Sequence, residues 1–124
     1  MRLCILLLLS VLIACPAPVA LAEAVYPPEL AEIAPVYPFA EVTQTMYLAK
    51  GVVATLTCMG SFDDVMTFYR LKMTELRWKM VTELDEPEHR SAAYASRSQR
   101  LIVDVSLDET SSKTLVRLTL TSVK

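Results

Sequence analysis

The sequence predicts an α+β domain: an antiparallel sheet of about six strands, in the order ββαββββ, with one helix packed on one face. Three observations predict it. Apolar and polar side chains alternate with the period of a half-buried strand in six separate segments after Pro35. One long segment instead repeats its apolar residues at helical spacing. The polar partners left over, Thr43, Thr45, Thr55, Thr57, Lys79, Glu83, Thr119 and Thr121, make a set suited to water, as one face of an antiparallel sheet should have.

The elements follow in chain order. Val42, Met46 and Leu48 alternate with Glu41, Thr43, Thr45 and Tyr47 and are expected to point inward from a first strand. Lys50-Gly51 supplies a turn, and Val53 to Met59 returns with Ala54, Leu56 and Cys58 inward, which makes a hairpin. Gly60-Ser61 then changes the period. Ser61 is a good N-cap, Asp64 three residues on completes an acidic capping box, and Asp63 adds favourable charge to the first turn. Phe62, Val65, Met66, Tyr69, Met73 and Leu76 form the buried stripe of the helix, and Arg70, Lys72 and Arg77 load its later turns. Trp78, Met80, Thr82 and Leu84 alternate with Lys79, Val81 and Glu83 as a third strand. Asp85 to Glu88 turns the chain into a weak fourth strand over residues 90–96. Leu101, Val103, Val105 and Leu107 define a fifth. Val116, Leu118 and Leu120 define a sixth, with Arg117, Thr119 and Thr121 outward.

The chain before Pro35 has another character. Leu3 to Ala22 carries no charge, and Met1-Arg2 followed by Leu3 to Ala14 has the layout of a secretory signal, here residues 1–14. Its apolar core is short for a membrane span, which needs about twenty apolar residues. Leu12-Ile13-Ala14-Cys15 resembles the lipobox of bacterial lipoproteins. That resemblance implies cleavage before Cys15, a diacylglyceryl thioether on its sulfur and acylation of the new amino terminus. Two or more acyl chains hold a protein to a bilayer where one does not. Two readings compete with it: cleavage after Ala22, at the small-x-small site Ala20-Leu21-Ala22, giving a signal of residues 1–22, and an uncut anchor. Residues 15–34 hold most of the prolines and three glutamates without a sustained apolar period. They are expected to form an extended tether, with room for one helical turn over 29–34, before a single domain at 35–124.

Composition limits the chemistry. From Pro35 onward eleven acidic residues face eleven basic ones, so the domain has no field to draw nucleic acid. Cys58 is the lone cysteine of the domain, in phase with Ala54 and Leu56, and is expected to be buried as a small hydrophobe. Asp85, Glu86, Glu88 and His89 have metal-ligand types but match no zinc spacing and read as solvated turn charge. Asp63 and Asp64 read as capping charge. Two glycines exclude a glycine-rich phosphate loop. No catalytic, metal or cofactor site is therefore assigned. Phe68 and Leu71, off the helix stripe, are the candidates for a partner contact.

Val36-Tyr37-Pro38-Phe39-Ala40-Glu41-Val42, a strand pair, and Asp64-Val65-Met66-Thr67-Phe68-Tyr69 running into Trp78 resemble a group of small, uncharacterised bacterial envelope and lipoprotein-like domains. In these a Tyr-Pro-x-Ala segment opens the first strand, and a helix with a central Phe-Tyr pair ends at Gly-Trp. The chain departs from the pattern with Phe39 and Arg77 where glycines are usual. The resemblance implies an envelope location and transfers no catalytic residue. The expectation is an exported protein, lipid-anchored on the periplasmic side, with a non-enzymatic binding or accessory role, meeting the membrane through Cys15 and an envelope protein partner. The alternative is a secreted periplasmic carrier holding a small hydrophobic ligand between helix and sheet.

Overall fold

The computed structural model describes residues 24–123. Cys15 and both cleavage sites lie outside the described residues. The elements are α1 (Pro28–Ala31), β1 (Glu41–Leu48), β2 (Gly51–Cys58), α2 (Phe62–Glu75), β3 (Lys79–Glu86), β4 (His89–Ala95), β5 (Gln99–Asp108) and β6 (Lys113–Ser122). The strands form one antiparallel sheet in the order β1-β2-β6-β5-β4-β3. The predicted order of ββαββββ with one helix is thus corrected to αββαββββ, a sheet-dominated unit with two helices.

The additional helix arises inside the segment expected to be a tether. Pro28 stands at its first position, where a missing N–H costs nothing and the fixed φ favours entry. Four residues are too few to show a helical period, yet they place Leu30 where none of it is exposed. Ala34 is equally buried. Tyrosines clamp the segment down. The Tyr26 hydroxyl donates to the Ala34 carbonyl, and Tyr69 of α2 donates to the Pro35 carbonyl at 2.8 Å. Thr45 Oγ1 donates to the Val25 carbonyl at 2.8 Å and ties the start of the segment to β1. Burial raises the pKa of both Tyr26 and Tyr69 far above the ordinary phenol value, because a phenolate would be stripped of water there. Residues 26–34 belong to the packed unit.

Helix α2 begins as expected: the Asp64 N–H donates to Ser61 Oγ at 3.1 Å. It buries Val65, Tyr69 and Met73 completely and lies over β4 and β5. Its far end is a Schellman motif, with the Trp78 N–H bonded to the Met73 carbonyl at 2.9 Å and the Arg77 N–H to the Thr74 carbonyl at 3.0 Å. The motif needs a left-handed residue at position 77, and Arg77 takes φ 64°. Phe39 does the same, φ 64°, after Pro38 in the turn closed by the Ala40 N–H on the Tyr37 carbonyl. Both are positions that favour glycine, since a Cβ crowds the backbone there.

The inner face of the sheet is set by register. Ala54, Leu118, Val103 and Ala92 align across four strands, flanked by the aligned Val52, Leu120, Leu101 and Tyr94. Leu56, Val116 and Val105 make a further row, and Cys58 is 4% exposed in the same phase. These rows form one cluster with Val65, Tyr69 and Met73 of α2.

The edge strands depart from the simple alternation. A bulge between Val42 and Gln44 reverses the phase of β1. Thr45 and Tyr47 come to the inner side, opposite Ala54 and Val52, while Met46 and Leu48 move to the outer side. A bulge between Met80 and Thr82 does the same in β3, bringing Glu83 inward and Thr82 and Leu84 outward. One inserted residue exchanges the two faces of everything beyond it, because the side-chain period is two. Every residue of β3 is exposed.

Candidate functional site

Helix α2 and the 26–37 segment occupy one face of the sheet; the other carries no element among the described residues. That open face is where side chains gather without a structural task. Thr55 and Arg117 are aligned across β2 and β6, Arg117 and Asp104 across β6 and β5, and Asp104 and Ser91 across β5 and β4. His89 and Ser106 stand opposite each other one row away.

His89 Nε2 lies 3.2 Å from Asp104 Oδ1, both groups partly exposed. The pair fixes the imidazole and occupies the carboxylate. His89, Asp104, Ser106, Leu115 and Arg117 border a shallow hollow of about 220 Å³. Cross-strand position brings Ser106 beside the imidazole, but no hydrogen bond joins them, so the arrangement lacks the contact that activates a hydroxyl nucleophile.

A second hollow, of about 330 Å³, lies on the other side of the Arg117 stem. Its floor is Val53 and Thr55, the latter only 8% exposed, and its rim is Gln44, Met46 and Arg117. Arg117 makes no ion pair among the described residues, since its cross-strand neighbour Asp104 is turned to His89. The geometry therefore offers a guanidinium with its five donors available, next to aliphatic surface. The hollow thus sets one guanidinium beside the side chains of Met46 and Val53.

A second group of charges joins two elements. Arg90 is hydrogen-bonded to Asp63 and lies 2.8 Å from Asp85, and its Nε also donates to the Glu86 carbonyl. The Asp63 carboxylate raises the Arg90 pKa by favouring the charged form. This clasp joins the start of α2 to the β3–β4 hairpin. It also separates the acidic turn cluster: in the paired register Asp85 and Arg90 share the inner face, and Glu86 and His89 the outer one. Among the described residues no three His, Cys, Asp or Glu side chains gather at metal-binding distance.

The two residues expected to contact a partner are placed differently. Phe68 is half-buried, edge-on to Tyr37 and Tyr69 with ring centroids 5.2 and 4.9 Å away, and Lys72 Nζ sits over its ring. Leu71 is 56% exposed on the back of α2. Three residues apart on α2, they are neighbours on the helix surface, one half-buried and the other exposed. Arg117 was legible in the sequence as an outward residue of the sixth strand. Its isolation and the His89–Asp104 pair were not, because both depend on register between strands. Comparison with protein-family models, curated proteins and solved structures returned no match, and no helix of the described residues is long and apolar enough to cross a membrane.

Proposed function

We propose that this is an exported, lipid-anchored binding protein without enzymatic activity, which acts through the open face of its sheet. The leader and the Leu12-Ile13-Ala14-Cys15 sequence support the address and the anchor. The observation that carries the binding role is the uncovered face with Arg117 at its centre, between two hollows and paired to no carboxylate. Arginine is among the residue types that most often anchor a binding surface.

Two measurements test the two halves. Intact mass of the membrane-extracted chain should show a species starting at Cys15 with acyl chains attached. A species starting at Glu23, or the full-length chain, refutes the anchor. A photoreactive residue at position 102, central on the open face, should cross-link in intact cells to a discrete target, whereas one at position 71 should not. Cross-linking from position 71 alone would move the binding role to the back of α2.

A further inference from the structure

We infer that the hollow beside Arg117 is a binding site for a small monocarboxylate with an aliphatic chain. The inference rests on the open-face reading above and gives that face its ligand chemistry. Three features point to the class. The first is charge: a single guanidinium is offered, and it is planar and forked, matching a carboxylate through two parallel hydrogen bonds. The second is the limit on that charge. Asp104 stands across the strand from Arg117, so a dianion such as a phosphate monoester would meet a fixed negative neighbour, and one negative charge matches one positive charge. The third is the lining. Val53 on the floor and Met46 on the rim are aliphatic, while Gln44 and Thr55 add an amide and a hydroxyl near the charged end. The hollow, about 330 Å³, falls at the small end of the range for small-molecule sites.

The bulge in β1 makes the hollow. Without it Met46 would point to the inner face, where the plain alternation of the sequence places it, and the rim would lose its apolar wall. A bulge on an edge strand that re-aims a side chain toward a binding surface is a recurrent use of that irregularity.

The test is an amide NMR titration of the isotope-labelled full chain with sodium octanoate, octanol and octylammonium as probes. Octanoate is expected to move the amides of residues 44, 46, 53, 55 and 117, with octanol at least about tenfold weaker and octylammonium without effect. Arg117→Met keeps the alkyl stem and removes the charge. On a surface position it should leave the spectrum dispersed and weaken octanoate about tenfold, to the level of octanol. Equal binding of octanol and octanoate, undiminished binding by Arg117→Met, or perturbations confined to other residues would each overturn the inference. If octanoate fails while position 102 still cross-links to a target, the carboxylate assignment falls and the open-face role stands. If both fail, both fall.

Discussion

Replacing Leu30 by alanine should destabilise the whole domain, although the residue lies in a proline-rich stretch that reads as a spacer. No part of the Leu30 side chain is exposed, and it belongs to the same cluster as Leu56, Tyr69 and Leu101. Truncation to alanine removes three carbons, each contributing about 0.8 kcal/mol of burial, or about 2.4 kcal/mol together. The void left behind adds to this, and measured Leu→Ala losses run from about 2.7 to 5.0 kcal/mol. A four-residue helix near the surface can settle into part of the void, so we expect about 3 kcal/mol. Urea unfolding followed by the fluorescence of Trp78, the only tryptophan, reads this directly. With a slope near 1.5 kcal/mol/M the midpoint should fall by about 2 M at unchanged slope. Val25→Ala, at a position 71% exposed, is the control and should stay within about 0.5 kcal/mol. A Leu30→Ala midpoint that matched this control would refute the claim that the segment is part of the folding unit.

Further predictions follow from the backbone and the buried phenols. Arg77→Gly should stabilise by about 0.5 kcal/mol, because relief of the left-handed conformation outweighs the extra freedom glycine gives the unfolded chain; an unchanged or lower melting temperature would contradict it. Gly51→Ala would bring a Cβ to 2.1 Å from the Leu120 carbonyl oxygen, so β2 must shift from β6, at a cost of about 3 kcal/mol in urea unfolding. Burial holds Tyr26 and Tyr69 in their neutral forms with pKa values above the unfolded one, so their contribution is complete below about pH 10 and is lost as pH rises beyond it. Phenolate absorbance assigned to them through Tyr26→Phe and Tyr69→Phe should therefore appear only together with the change in Trp78 fluorescence, and ionisation within the folded protein would count against their burial.

Much of the sheet was legible because alternation survives wherever a strand is central. Val103, Val105 and Leu118 face inward as their spacing requires, and Ser61 caps α2 as its place before two aspartates requires. The edges were less legible for a physical reason. Nothing in the residues near Thr43 and Val81 marks a bulge, yet each reverses the faces of the strand beyond it, which is why Met46 and Leu84 point outward and Thr45 and Glu83 inward. A helical turn was legible near Glu29, but its packing was not, because Leu30 is a single apolar residue with no partner one turn away within α1 and its fixing contacts come from distant β-strands and α2. Of the candidate site, the residue types could be read and the relations could not. That Asp104 is held by His89, fifteen residues earlier in the chain, and so leaves Arg117 without an ion pair, is a property of strand order and register.

The clamped run from Val25 to Tyr37 also fixes the length of the leash. If the chain is moored at Cys15 as proposed, ten peptide steps separate the acylated sulfur's residue from the first hydrogen bond to the sheet. Stretched fully, they reach at most about 35 Å. A unit of this size measures about as much across, with a radius of gyration near 13 Å. The domain could then turn over on its mooring but hardly travel, and its target would have to come to the bilayer surface to be met.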